Sequence, residues 1–286
     1  MISLFSSECC VKRYAIEGSF VPLLASSESF IISYDEHPRP LIRLFDINCC
    51  QVMCLYLPSL LFDMCYSYDL DSFIFLTTNC LYKLNPTIGK IELINDYNLL
   101  KENRSMSSIC STDDQRLFIL YRFGEYLDTY PKGKRIWKRR HLCDSISEDI
   151  YLIRSSKGKI QFFFHLFIYF FHNYLLGNSF ILGLLIVEWN GIWRVDIFSS
   201  SLHKLHTGFR FNGWTRDTWL SEWSSQQCWF VGNIHRLMID SKGQPINIST
   251  NQLDFDINNI TWMINKNNDQ IKLTVIRGQK LLTFFK

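Results

Sequence analysis

The chain has 286 residues, 47% of them apolar, and a formal net charge of +3. That apolar content is enough for a large core, and the charge is too small to argue for nucleic acid as a partner. Alanine stands only at Ala15 and Ala25 while Ile, Phe, Tyr and Trp are plentiful, so the composition argues for strands over helices.

Three strand-like runs open the chain: VKRYAIE, VPLLAS and SFIISYD. The third joins LIRLFD and QVMCLYL in a first sheet. Leu61 to Ile94 supplies the cleanest unit, FDMCYS, SFIFLTT, LYKL and KIELI. Within it LYKLNPTIGKIELI reads as strand, turn, strand, with Asn85-Pro86 opening the turn and Gly89 closing it. Ile109 to His141 gives ICST, RLFILY, YLDTY and RIWKRR. The hairpin recurs. Its turn-opening residues are Asp46, Asn85, Tyr130, Asp196, Asp240 and Arg277, spaced by 39, 45, 66, 44 and 37 residues. The residue before each is apolar in five of the six, and turn formers follow each one.

Units of roughly 40 to 50 residues, each unable to bury both faces alone, predict four-stranded blades stacked around an axis. The expected fold is therefore all-β: one domain over residues 1–286, a six-bladed β-propeller, with five or seven blades as alternatives. A β-sandwich with irregular hairpins is the competing architecture. The last sheet has only three strands of its own, ITWMIN, IKLTVI and KLLTFF. The spare VKRYAIE is expected to complete it and close the ring.

LYKLNPTIGKIELI resembles the blade-closing hairpin of quinoprotein-like propellers, and LIRLFDINCCQVMCL is similar to hairpins of NHL-type and WD40-like repeats. The resemblance covers most of the chain at superfamily level. The Gly-His and Trp-Asp pairs of WD40 repeats and the double glycine of kelch repeats are missing, so the resemblance transfers no functional residue.

One stretch departs from the repeat. Between Lys159 and Glu188 there is no charge, and residues 162–187 are long enough to cross a bilayer as a helix. The single long spacing of 66 exceeds the others by about the length of this run, which marks it as an insertion in the fourth blade. Three readings follow: a segment foreign to the fold, such as translated non-coding sequence; an apolar helix or hairpin packed outside or against a membrane; or a true membrane span.

Ten cysteines (Cys9, Cys10, Cys49, Cys50, Cys54, Cys65, Cys80, Cys110, Cys143 and Cys228) form no C-x-x-C pair, so zinc is unsupported and reduced thiols in the cytoplasm are expected. The start, MISLFSSECC, lacks the pattern of a signal peptide. Lys132, Lys134, Arg135, Lys138, Arg139 and Arg140 read as a solvated outer strand. Asp254, Asp256 and Asn258 start like a calcium loop, but Asn259 and Asn265 stand where its Gly and Glu belong. His203 and His206 fall on opposite faces of an expected strand, which suits chelation poorly. Asp69 and Asp71 read as turn acids. Trp229 is expected in the core, while Trp214, Trp219 and Trp223 lie nearer loops and are candidates for a binding face. No residue is assigned a catalytic, cofactor or metal role. The function expected is a monomeric, non-catalytic scaffold for a protein or small ligand. The alternatives are a metal-dependent hydrolase or lactonase-like propeller enzyme, and a membrane-associated protein held by residues 162–187.

Overall fold

The computed structural model describes residues 10–16, 23–36, 38–77, 80–94, 106–112, 116–121, 126–130, 134–138, 148–156, 181–188, 190–199, 202–212, 219–223, 228–232, 237–246, 259–265, 270–278 and 281–285. All regular structure among them is strand. Strand β1 (Cys10–Ala15) stands apart from its sequence neighbours and is placed below. The first sheet is β2 (Leu24–Ser26), β3 (Phe30–Asp35), β4 (Leu41–Asp46) and β5 (Gln51–Tyr56). The second is β6 (Leu61–Ser67), β7 (Ser72–Thr77), β8 (Leu81–Asn85) and β9 (Lys90–Leu93). The third is β10 (Met106–Ser111), β11 (Leu117–Tyr121), β12 (Tyr126–Tyr130) and β13 (Lys134–Lys138). The fourth holds β14 (Glu148–Ser156), β15 (Ile181–Glu188), β16 (Ile192–Ser199), β17 (Lys204–His206) and β18 (Arg210–Asn212). The fifth is β19 (Trp219–Trp223), β20 (Cys228–Gly232), β21 (Leu237–Ile239) and β22 (Pro245–Ile246). The last is β23 (Asn259–Asn265), β24 (Gln270–Arg277), β25 (Leu281–Phe285) and then β1.

The first strand of each sheet lies innermost. Around the axis β2 packs beside β6, β6 beside β10, β10 beside β14, β14 beside β19, β19 beside β23, and β23 beside β2. Because each sheet runs antiparallel, the outermost strand ends on the face where the next innermost strand begins; this is the upper face here. Burial follows position. The second strands β7, β11 and β15 are covered on both sides by neighbouring sheets and read as nearly continuous apolar runs, SFIFLT and LFILY among them. The outermost strands β5 and β22 are largely exposed.

Closure by the N-terminal strand is as expected. β1 pairs antiparallel with β25, Arg13 facing Thr283 and Tyr14 facing Leu282. Tyr14 then ties the last sheet to the first. Its hydroxyl donates to the Cys49 carbonyl at 2.7 Å, and its ring packs against Phe45 and Phe284 at 4.9 and 5.7 Å between centroids.

Three expectations are corrected. First, the sequence predicts a six-bladed ring, with five or seven blades as alternatives; five regular four-stranded sheets are present, and the fourth sheet departs from them, with five strands. β17 and β18 both pair with β16, β17 at Ile197 and Phe198 and β18 from Ile192 to Arg194, so they are two pieces of one broken outer strand. The break lies at Gly208, whose backbone approaches Val195 so closely that a Cβ would stand 2.0 Å from the Val195 carbonyl oxygen. Second, the run 162–187 is not a helical insertion over the part the structure describes. Residues 181–187 lie in β15, paired with β14 on one side and β16 on the other and buried up to Ile186. Residues 162–180 lie outside the described residues. Third, two hairpin anchors shift. Arg277 ends β24, the second strand of its sheet, not the third. In the fourth sheet the turn opens at Ser199, three residues after Asp196.

The turn chemistry explains that shift. The Asp46 side chain accepts from the backbone N–H groups of Asn48 and Cys50 at 2.9 and 2.8 Å, and Asp240 accepts from Lys242 and Gln244 at 2.8 Å each. Ser199 Oγ takes the N–H of His203 at 3.1 Å, a weaker version of the same bond. In each case the third residue onward is left-handed: Cys49 at φ 59°, Gly243 at 77° and Leu202 at 64°. In the second sheet Asn85 accepts from Thr87 and Ile88, and Gly89 carries φ 73°. Gly89→Val is expected to destabilise by roughly 1–3 kcal/mol in urea melts, since an L residue with a branched Cβ is strained there. Lys90→Ala, one residue on and outside the left-handed position, should leave the midpoint nearly unchanged.

Candidate functional site

Buried charge is concentrated where sheets meet. The inner strands of the second, third and fourth sheets share a β-bulge, with Phe62, Ser107 and Tyr151 as the extra residues. The shared bulge aligns Asp63 with Ser108, and Cys65 with Cys110 and Arg154. Asp63 is fully buried and receives five hydrogen bonds from three sheets. Arg154 donates through Nη1 to Oδ2 at 2.8 Å and Nη2 to Oδ1 at 2.7 Å. Ser108 Oγ and the Ile109 N–H reach Oδ2 at 2.6 and 2.9 Å, and the Met64 N–H reaches Oδ1 at 2.9 Å. Burial works against the Arg154 charge, but the Asp63 carboxylate more than restores it, so the guanidinium is held above its usual pKa. Burial likewise pushes the Cys65 thiol well up, which makes it a poor nucleophile.

Two further ionic groups lie elsewhere. Between the last and first sheets, Arg277 Nη2 meets Asp35 Oδ1 at 3.1 Å and Arg43 Nε meets Asp35 Oδ2 at 3.0 Å. In the fourth sheet Arg194 is fully buried among Glu148, Glu188 and Asp196 at 2.8, 2.9 and 2.9 Å, with Lys204 on Asp196 and Arg210 on Glu188, each at 2.8 Å. The Arg210 bond is the main reason that Glu188 sits below its usual pKa, helped by Asn190 and Arg194 and opposed by burial. A depressed carboxylate stabilises the fold above its unfolded pKa and loses that effect as pH falls through the folded one. The gap in urea midpoint between wild type and Glu188→Gln should therefore be steady near neutral pH and shrink toward zero as the solution is acidified through the carboxylate range.

Among the described residues the Asp63 and Arg194 networks hold as many acids as bases, and the Asp63 carboxylate is saturated. They cross-link strands and sheets. Among the described residues no three His, Cys, Asp or Glu side chains gather as a metal site, and no helix is long and apolar enough to cross a membrane.

The upper face differs. Leu60 is 48% exposed on the connection that crosses from rim strand β5 to inner strand β6, and Phe62, the second residue of β6, is 41% exposed. The bulge accounts for Phe62: with Leu61 facing Thr77 and Asp63 facing Leu76, Phe62 has no partner on β7 and turns outward. Tyr151, the extra residue of β14, instead packs edge-on against Trp193 at 5.4 Å. Leu93, ending β9, and Leu281, starting β25, are exposed on the same face. On the lower face Ile88 is exposed in the Asn85 turn.

The residues singled out in the sequence are scattered. Trp229 is core, its indole Nε1 standing 2.7 Å from where a Cβ on Gly183 would lie. Trp219 and Trp223 bound β19, and Trp214 lies outside the described residues. Lys134, Arg135 and Lys138 lie on the outer strand β13; Lys132, Arg139 and Arg140 lie outside the described residues, as do Asp254, Asp256 and Asn258. His206 is exposed on β17, and His203 is exposed in the preceding turn, not on the strand. Asp71 accepts the Tyr66 hydroxyl in a turn. Asp63, Arg154, Leu60 and Phe62 were not singled out. A lone acid and a lone base inside FDMCYS and IYLIRS are the visible signal, but nothing in the sequence pairs them across 91 residues.

Known structures resemble this arrangement. Streptogramin B lyase superposes with a TM-score of 0.50 at 10% identity, covering 97% of this chain and 99% of its own. The fold is a β-propeller. The β-propeller domain of Myceliophteria thermophila Cps50 (Swd1) superposes with a TM-score of 0.47, also at 10% identity, over 93% of this chain and 82% of its own. No family model matches the chain, and neither does any curated protein.

Proposed function

We propose that this propeller is a non-catalytic scaffold that binds a partner protein through its upper face. The observation that carries the reading is the exposed apolar set Leu60, Phe62, Leu93 and Leu281 on that one face. Large apolar side chains held in water by rigid strands favour a partner that covers them. The bulge at Phe62 supports this, because it spends a backbone irregularity on turning an aromatic ring outward. Among the described residues Cys10, Cys50, Cys54, Cys65 and Cys80 form no disulfide, which supports a reducing, cytoplasmic setting.

A photo-crosslinking residue placed at Leu60 tests the reading, with the same residue at Ile88 on the lower face as control. Expected are discrete protein adducts from position 60, lost when Phe62→Glu is added, and none of these from position 88. Equal adducts from both faces, or none from position 60, would contradict it.

A further inference from the structure

The rim of the ring carries a second observation, independent of the upper face. Among the described residues every blade ends in an outer strand with one edge unpaired, and such edges invite pairing unless charge, proline or shortness blocks it. β1 carries Lys12 and Arg13. β9 has four residues and ties Lys90 to Glu92 at 3.1 Å. β13 reads KRIWK, β17 carries Lys204 and His206, and β22 is two residues beginning with Pro245. β5 reads QVMCLY: six residues, no charge and no proline. Val52 is 50% exposed, Tyr56 68%, and Cys54 is exposed as well. A bulge at Val52 disturbs only the end next to the Asp46 turn, and residues 53–56 keep regular register with β4. Among the described residues nothing pairs with the outer edge of β5.

We propose that this edge pairs antiparallel with β5 of a second copy of the chain, joining two propellers through one continuous sheet. A second copy is the occupant the charges favour. Two-fold pairing sets a strand against itself, so on β1 or β13 it would oppose like charges, a destabilising arrangement. On β5 it opposes none, and it keeps Cys54 and Tyr56 of both copies on one shared face. The area is that of one short strand pair, smaller than a standard interface, so the dimer is weak and forms at roughly 10–100 µM. This departs from the monomer expected from the sequence.

Sedimentation equilibrium of the full chain under reducing conditions is the test. The average mass should rise from one chain toward two, and no further, as concentration increases through that range. Cys54→Lys and Tyr56→Lys, both on exposed side chains, should each weaken association about tenfold or more. Leu205→Lys on β17 and Leu60→Glu on the upper face should leave it unchanged, and the latter separates this dimer from partner binding at Leu60. A chain that stays monomeric throughout, that grows beyond two copies, or that dimerises equally well with Cys54→Lys would overturn the proposal.

Discussion

Replacing Arg154 by methionine is expected to cost about 3–5 kcal/mol, read as a fall in the urea midpoint at unchanged slope. Asp63 is fully buried, and Arg154 supplies two of its hydrogen bonds and, among the described residues, its ion pair. Without the guanidinium, Ser108 and two backbone N–H groups remain to hold a full negative charge away from water. Neutral donors do not offset that desolvation. The same change loosens three blades together, because the Asp63–Ser108–Arg154 contacts join β6, β10 and β14. Adding Asp63→Leu should recover much of the loss, since two apolar side chains in place of a buried pair leave no charge uncompensated. If Arg154→Met melts like wild type, Asp63 has another partner and the cross-link is not as described.

Deleting residues 163–187 is expected to abolish cooperative unfolding. The cut removes Ile181–Val187, seven of the eight residues of β15, the doubly covered strand on which β14 and β16 both pair. It also removes Gly183, the position that admits the Trp229 ring of the next blade. A deletion restricted to residues 162–178 leaves both strands intact, and Ser156 faces Ile181 across the pair; that variant is expected to keep a single thermal transition by circular dichroism. A cooperative melt after removal of 163–187 would contradict the placement of β15.

Strands covered on both faces lose period-two alternation and become plain apolar runs, as SFIFLT and LFILY also do. ILGLLIVE is one more of these, but it adjoins a longer uncharged stretch, and periodicity alone cannot divide the two. The hairpins were more legible because their turns have fixed chemistry: Asp46, Asn85 and Asp240 each open a turn with a side-chain acceptor. Ser199 does the same with a hydroxyl and was hidden by Asp196, whose carboxylate instead holds Lys204, Arg194 and the Gly208 N–H. The closing strand could be inferred by counting, since three strands at one end and one spare at the other complete a sheet. The Asp63–Arg154 pair could not, because its partners are distant in sequence and meet only when the ring forms. The outward turn of Phe62 is not legible in the sequence, because a bulge is a matter of register that exists only where β6 lies against β7.

The closed ring is tested most directly by linking its ends. Arg13 and Thr283 face each other across β1 and β25, and directly opposed residues in an antiparallel pair lie about 4.5–5.5 Å apart at Cα, within disulfide range. With Arg13→Cys and Thr283→Cys together, mild oxidation of the native protein should give an intramolecular disulfide, identified by joined peptides carrying positions 13 and 283, and a raised urea midpoint. Failure of the two positions to link, or linkage only between molecules, would contradict closure of the propeller by its N-terminal strand.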